Sequence, residues 1–238
     1  MAYTPESFTE EIKKIFGANL RSVVLYGSAV SGSHHKDYSD FNLLLVVERF
    51  DAKACQASAK ALKTWTKAGN PVPVIFADEE LRRSNDVFPI ELLDMQDHRR
   101  ILHGEDPLAH FKPAGQNLRL ELERDLRSGL LKLRQAYWLS PHDSAGVQEL
   151  MIQAGSTFLV LFRSALRLLK VSPLPPKPEA AVALSKHIPF DPAVFTYIER
   201  LKSKEKATLK ESPDPWMEQL LETVCKVTDA VDSWVDQT

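Results

Sequence analysis

Two short segments, SVVLYGS (22–28) and SDFNLLLVV (39–47), carry most of the structural information in this chain. The first is a β-branched and apolar run that stops at Gly27, which predicts a strand followed by a tight turn. The second is apolar at successive positions rather than at alternating ones, and a strand of that kind is typically covered on both faces of its sheet. The two segments therefore predict successive strands of an α/β domain, with a helix starting just after Ser28.

The turn at the end of the first strand has the chemistry of an anion-binding site. A strand that ends at Gly27-Ser28 before a helix offers backbone N–H groups and a hydroxyl, and the helix dipole favours negative charge there. Asp40 opens the second strand, and Asn42 follows two positions later. Residues i and i+2 of a strand point to the same face. Asp40 and Asn42 are therefore expected side by side, next to a phosphate-binding turn.

This pattern resembles the nucleotidyltransferase superfamily related to DNA polymerase β, in particular its kanamycin-type and minimal nucleotidyltransferases. The family pattern is a hydrophobic run ending in Gly-Ser, a short gap, and Ser-Asp-x-Asp followed by apolar residues. The resemblance is specific over residues 22–47 and looser out to Pro107. It implies a mixed α/β sheet domain that binds a nucleoside triphosphate, together with two Mg²⁺ ions held by the acidic residues of the motif.

The resemblance also assigns roles to individual residues of this chain. Gly27, Ser28 and Ser39 would bind the nucleotide. Asp40 would be the chief metal ligand and a catalytic residue, and Asn42 would occupy the second metal-ligand position.

In the family, a third carboxylate on a later strand helps to bind metal and to activate the acceptor hydroxyl. The segment FPIELLDM (88–95) is interpreted as the fourth strand, with Pro89 near its start. Glu91 is our candidate for the catalytic and metal-binding carboxylate in this segment, and Asp94 is the alternative. Three residues apart on a strand, the two would face opposite ways, so that only one could serve. Arg99 and Arg100 follow, and either contact a phosphate or form ion pairs.

Asn42 stands where the family pattern has Asp. An amide oxygen can ligate Mg²⁺, but it brings no negative charge, and hard cations are held largely by carboxylates. The predicted function is transfer of a nucleoside monophosphate from an NTP to a hydroxyl acceptor, with activity weakened at Asn42. The alternative is a catalytically inactive member of the same fold, a pseudoenzyme acting as a regulatory or partner-binding protein. A toxin–antitoxin component is a third reading, which rests on fold analogy alone.

The pattern of predicted secondary structure changes between residues 111 and 116. Before this point short β-rich runs alternate with helical ones, which predicts helices at 5–18 and 52–68 and a strand at 72–77. After it the periodic segments are all helical, with expected helices at 122–137, 147–168, 179–187, 192–203 and 214–235. The prediction is an N-terminal nucleotidyltransferase-like mixed-sheet domain, 1–111, followed by an all-α helical bundle domain, 113–238.

The composition limits the function classes. With 30 Lys+Arg against 32 Asp+Glu and a net charge of −2, the chain offers no polycationic surface for nucleic acid. The apolar stretch 151–162 is too short to span a membrane. Two distant cysteines form neither a disulfide framework nor a zinc site, and reduced thiols fit a cytoplasmic protein. The expected partners are an NTP, Mg²⁺ and a hydroxyl-bearing acceptor. A second copy of the chain is expected if the apolar stripe of the 214–235 helix is exposed.

Overall fold

The structure is a computed structural model that describes residues 3–27, 29–30, 41–140, 143–205 and 210–234. The chain divides into two compact units, Met1–Pro113 and Ala114–Thr238. Unit 1 contains all the strands of the described residues, and unit 2 contains helices and their connections.

Unit 1 is built on a mixed four-stranded sheet in the order β3-β2-β1-β4. Its strands are β1 (Leu20–Tyr26), β2 (Asn42–Val47), β3 (Val74–Ala77) and β4 (Arg99–Gly104). The central strand β1 is antiparallel to both β2 and β4, whereas β2 and β3 are parallel. The segments 22–27 and 41–47 thus form the two middle strands.

Five helices accompany this sheet: α1 (Pro5–Phe16), α2 (Ala52–Ala57), α3 (Ala59–Lys67), α4 (Asp78–Arg83) and α5 (Pro89–Asp97). Helices α1 and α3 cover one face, where Phe8, Ile12 and Trp65 pack against odd-numbered residues of β1 and β2. The even-numbered Val24 and Leu44 point to the opposite face and are also fully buried. The prediction that these strands are covered on both faces is therefore confirmed.

The prediction of a strand at 88–95 is wrong, because this segment lies within the helix α5. Pro89 occupies the first turn, where its missing N–H costs nothing and its fixed φ suits a helix. Leu92 and Met95 are buried, and the segment consists mostly of good helix formers. The fourth strand is instead 99–104, in the region that the sequence interpretation placed after the sheet.

Two other boundaries differ from the predictions for local reasons. The helix expected at 52–68 is two helices, with Ser58 between α2 and α3 and its hydroxyl donating to the carbonyl oxygen of Cys55 (2.8 Å). The strand expected at 72–77 begins only at Val74. Pro71 and Pro73 precede it, and a proline has no N–H to donate to a strand ladder.

Unit 2 is an all-helical assembly of α6 (Gly115–Leu139), α7 (Ser144–Leu168), α8 (Ala180–Leu184), α9 (Ala193–Lys202) and α10 (Asp214–Asp232). Helix α7 contacts each of the other four, and α6 also packs on α10. The predicted stripes on α6 and α10 are buried: Leu122, Leu126, Leu130 and Leu133 on the first, and Leu220, Val224, Val227 and Val231 on the second. Because the stripe of α10 lies inside the unit, it gives no support to a dimer; Val235 is outside the described residues.

Among the described residues, α7 is the one helix whose length and apolar composition would allow it to cross a membrane. The interpretation that the apolar stretch here is too short considered only 151–162, whereas the helix has 25 residues. Twelve of them are buried, including Arg163, whose Nε donates to the carbonyl oxygen of Pro175 (3.1 Å). These features are those of the central helix of a bundle.

Candidate functional site

The turn after β1 is fixed by the backbone of Gly27. This residue has φ +84°, a left-handed conformation that favours glycine. Its N–H donates to the carbonyl oxygen of His98 (2.9 Å), just before β4, and its carbonyl oxygen accepts from the N–H of Val30 (3.0 Å). Gly27 therefore contributes shape to the turn, because its own N–H is already used. Ser28 and residues 31–40 lie outside the described residues, and Ala29 and Val30, where the helix was expected to start, form a turn.

Asn42 lies directly beside this turn. Tyr26 and Asn42 are cross-strand partners at the end of β1 and the start of β2. A Cβ atom at Gly27 would lie 3.5 Å from Nδ2 of Asn42, so the amide faces the side of the glycine where no side chain intervenes. The structure thus brings Gly27 and Asn42 together. Asp40 and Ser39 are outside the described residues.

The start of β2 is held by a buried asparagine, Asn70. Its Oδ1 accepts from the N–H of Phe41 (3.1 Å), and its Nδ2 donates to the carbonyl oxygen of Trp65 (3.4 Å). The indole of Trp65 in turn donates to the carbonyl oxygen of Pro71 (2.7 Å). Asn70 therefore fixes the residue between Asp40 and Asn42. The sequence interpretation missed this role, for which the only signal is a polar residue in the Gly69-Asn70-Pro71 turn.

The charge of Asp94 acts on Tyr26, the strand partner of Asn42. Burial raises the pKa of the Tyr26 phenol, and the negative charge of Asp94 raises it further. Because cross-strand partners in an antiparallel pair point to the same face, Tyr26 and Asn42 share a face of the sheet. Tyr26 and Asn42 are therefore neighbours on the sheet, and Asp94 acts on Tyr26 through its charge.

The helical conformation of α5 changes the relation between the two candidate carboxylates. Glu91 and Asp94 are three residues apart, so on a helix they lie on neighbouring faces instead of opposite ones. Glu91 is exposed, whereas Asp94 is half-buried. The expectation that the third carboxylate lies on a later strand is also wrong for Glu91, since β3 (VIFA) and β4 (RRILHG) carry no acidic residue.

Arg99 and Arg100 are both engaged in ion pairs within unit 1. Arg99 is the partner of Tyr26 on β4, and its guanidinium grips the carboxylate of Asp106 with N–O distances of 3.0, 2.9 and 2.6 Å. Arg100 pairs with Glu6 at 2.6 Å. The interpretation of these arginines as ion-pair partners is confirmed. The basic run His34-His35-Lys36, between the Gly27 turn and the second strand, lies outside the described residues.

No protein-family model matches the chain, and no curated protein matches its sequence. Solved structures do match it, among them the crystal structure of the spectinomycin adenyltransferase AAD(9) from Enterococcus faecialis with ATP and spectinomycin. That match has a TM-score of 0.55 and 14% sequence identity, and it covers 94% of this chain and 97% of that chain.

At 14% identity the likeness concerns the fold. A mixed four-stranded sheet followed by a helical region is a nucleotidyltransferase-like fold, so the predicted fold class is confirmed. The neighbour is itself a nucleotidyltransferase, which is the class of fold that the sequence resemblance implied.

Proposed function

We propose that the chain binds a nucleoside triphosphate with Mg²⁺ at the Gly27 turn and transfers a nucleoside monophosphate to a hydroxyl acceptor, with activity weakened by Asn42. The observation that carries this proposal is the contact between Gly27 and Asn42 at the paired ends of β1 and β2. It joins the two halves of the motif within a nucleotidyltransferase-like fold. In that position a glycine leaves room for a triphosphate beside the metal ligands.

The donor set suits Mg²⁺ with fewer charges than the family motif supplies. Asp40 and Asn42 are the proposed ligands from β2, with Asp94 or Glu91 from α5. Of the two, Asp94 is preferred, because its charge contributes to the raised pKa of the Tyr26 phenol and Tyr26 is the strand partner of Asn42. When bound, the metal would neutralise charge on the transferred phosphoryl group and on the departing pyrophosphate. With an amide in place of one carboxylate, the site depends more on oxygen ligands from the triphosphate itself.

The proposed reaction is a single displacement at the α-phosphorus. The acceptor oxygen forms a bond to this phosphorus, the bond to pyrophosphate breaks, and the hydroxyl proton passes to the α5 carboxylate. The neighbour's adenyl transfer involves ATP and spectinomycin, so ATP and small polyhydroxylated amines are the first donor and acceptor to try. Near-neutral net charge argues against nucleic acid as acceptor, and free thiols at Cys55 and Cys225 fit a reducing cytoplasm.

A second function is favoured by a specific observation. Asn42 is uncharged, and neither β3 nor β4 carries a carboxylate, so the described part of the site has lost acidic groups at the positions where the family motif expects them. The alternative is a pseudoenzyme that binds a nucleotide, or none, and acts on a partner protein. The two functions differ in whether nucleotide binding leads to transfer.

The first experiment is thermal unfolding with ATP, GTP, CTP and UTP, each with and without Mg²⁺. A ligand at about 100 times its Kd stabilises the native state by about 2.7 kcal/mol, which a melting curve resolves. We expect a Mg²⁺-dependent shift with one nucleotide, lost in Asp40→Ala. No shift with any nucleotide contradicts the enzymatic proposal and leaves the partner-binding alternative.

The second experiment measures pyrophosphate release in Asn42→Asp, with Asn85→Asp as matched control. Asn85 is exposed in the 3₁₀ turn 84–86, so its variant adds the same charge to unit 1 away from the turn. A gain of Mg²⁺-dependent transfer in the first variant alone identifies an intact site limited at one position. In that background Asp94→Asn should abolish the gain and Glu91→Gln should not. Binding without transfer in every variant favours the pseudoenzyme.

A further inference from the structure

The most exposed large apolar side chains described in unit 2 lie in the last turns of α6. Trp138 is 86% exposed and Leu139 is 88% exposed, and Leu131, two turns earlier on the helix, is 58% exposed. Tryptophan normally buries most of its surface, and an exposed apolar patch on a folded unit marks an interaction site. Leu131 and Trp138, seven residues apart, lie on one side of α6 and form an exposed apolar surface, and Leu139 lies one position further round the helix.

A cavity of about 380 Å³ lies beside this patch. Tyr137 of α6 lines it together with four residues of α10: Asp214, Pro215, Glu218 and Leu221. The Tyr137 hydroxyl donates to Oδ1 of Asp214 (2.9 Å), which ties the last turn of α6 to the first turn of α10. The exposed Trp138 and the cavity therefore belong to one continuous surface, here named the α6–α10 face.

Charges on the α6–α10 face are separated by helix. The segment 131–139 carries Lys132 and Arg134 and no acid, whereas the segment 214–222 carries three acids and no base. Each arrangement suits the helix dipole, since bases lie near the C-terminus of α6 and acids near the N-terminus of α10. Arg134 and Glu218 are both exposed, and neither has an ion-pair partner among the described residues. Arg134, four residues before Trp138, shares its side of α6, whereas Lys132, two residues before Arg134, points away from that side.

We propose that the α6–α10 face binds a second copy of the same chain. A two-fold axis running between α6 and α10, along the face, places Arg134 of each copy opposite the acidic residues of α10 in the other. The same rotation brings Trp138 of each copy over the cavity beside Tyr137 of its partner. Charge complementarity then selects the partner and fixes its register, and Trp138 supplies the apolar anchor. The proposal does not depend on nucleotide binding.

Sedimentation equilibrium across a range of concentrations tests the proposal. The wild-type chain is expected to approach twice the 26.8 kDa mass of one chain. Trp138→Ala and Arg134→Glu should each weaken the dimer at least about tenfold, because buried Trp and Arg dominate interface energies. Lys63→Glu, a matched charge reversal at an exposed position of α3, should leave it unchanged. Circular dichroism confirms that the variants, which alter exposed side chains, stay folded.

A mixing experiment identifies the two-fold pairing itself. Arg134→Glu and Glu218→Arg each place like charges opposite one another, so each variant alone should be monomeric. Mixed together, they restore both opposite-charge pairs and should form a heterodimer. A monomeric wild-type chain overturns the proposal and assigns the patch to a different protein. A wild-type dimer that survives Trp138→Ala, or variants that stay monomeric when mixed, also overturns it.

Discussion

The ion pair between Arg99 and Asp106 should stabilise unit 1 far more than its other ion pairs, and Asp106→Asn tests this. The side chains of Arg99 and Asp106 are only 23% and 26% exposed. Nε and Nη2 of Arg99 both donate hydrogen bonds to the carboxylate of Asp106. Oδ1 of Asp106 also accepts from the N–H of Leu108 (3.0 Å). The asparagine keeps the shape and an acceptor for Leu108, so the variant isolates the loss of charge beside Arg99.

The expected cost lies between two known limits. Removing one partner of a fully buried ion pair costs about 3–5 kcal/mol. Exposed pairs contribute about 0.2–1 kcal/mol. With about three quarters of each side chain shielded and a two-point contact, Asp106→Asn should lower the free energy of unfolding by about 2 kcal/mol. The control is Glu48→Gln in the exposed pair Arg21–Glu48, which should cost less than about 0.5 kcal/mol.

Urea unfolding measures the difference. For an m-value of about 2 kcal/mol per M, in the middle of its usual range in urea, a loss of about 2 kcal/mol moves the midpoint of the unit 1 transition by about 1 M. The fully buried Trp65 reports on this unit. If Asp106→Asn shifts the midpoint no more than Glu48→Gln does, the partial burial of the pair does not strengthen it and the reasoning fails.

The pH dependence gives a second check on the same pair. Burial raises the pKa of Asp106, but hydrogen bonds from Arg99 and from the N–H of Leu108 outweigh this and hold the pKa below its ordinary value of 3.8. A depressed folded-state pKa contributes stability above the unfolded pKa, and that stability is lost as pH falls through the folded pKa. The gap between wild type and Asp106→Asn should therefore be full at neutral pH and shrink below about pH 4.

Three further predictions concern single positions. Gly104→Ala places a Cβ 1.8 Å from the carbonyl oxygen of Arg21 at φ +74°, so we expect a loss of about 3 kcal/mol or more in urea unfolding; near-wild-type stability would contradict this contact. Asn70→Ala removes the acceptor of the Phe41 N–H and should lower the free energy of unfolding by about 1–3 kcal/mol. Amide exchange at Phe41 should become faster, and unchanged exchange would argue against this role. Asp143→Ala removes the N-cap of α7 and should cost about 1 kcal/mol, which Asp143→Ser should largely restore.

The central strands could be predicted from sequence because burial on both faces leaves a mark on every residue. Leu43, Leu44 and Leu45 are all buried. In an amphipathic strand only alternate residues would be apolar, so three apolar residues in a row indicate burial on both faces. The turn at Gly27 could also be predicted, because a glycine stands where the apolar run of the first strand ends. The helical stripes of unit 2 were predictable for a related reason, because long periodic segments average out local ambiguity.

The segment 88–95 could not be assigned from its pattern. A short apolar run fits a buried strand and a buried helix equally well, and periodicity does not separate them. The distinction comes from Pro89 at the first helical turn and from the tertiary contacts of Gln96, whose Nε2 donates to the carbonyl oxygens of Leu108 (2.7 Å) and Phe111 (3.1 Å). Those contacts join residues distant in sequence, so no local pattern records them.

This difference in secondary structure changes what the site can do chemically. The backbone of a carboxylate-bearing strand beside β2 would be held by hydrogen bonds to neighbouring strands. Asp94 is instead positioned by the packing of α5 and by the hydrogen bonds of Gln96. With no acidic residue on β3 or β4, the proposed site would rely on a carboxylate held through a helix. Low charge on these strands would weaken resident metal binding there, and a triphosphate would then bring its own metal to the turn. The Asn42 amide is therefore compatible with a nucleotide site whose metal binding depends on the nucleotide.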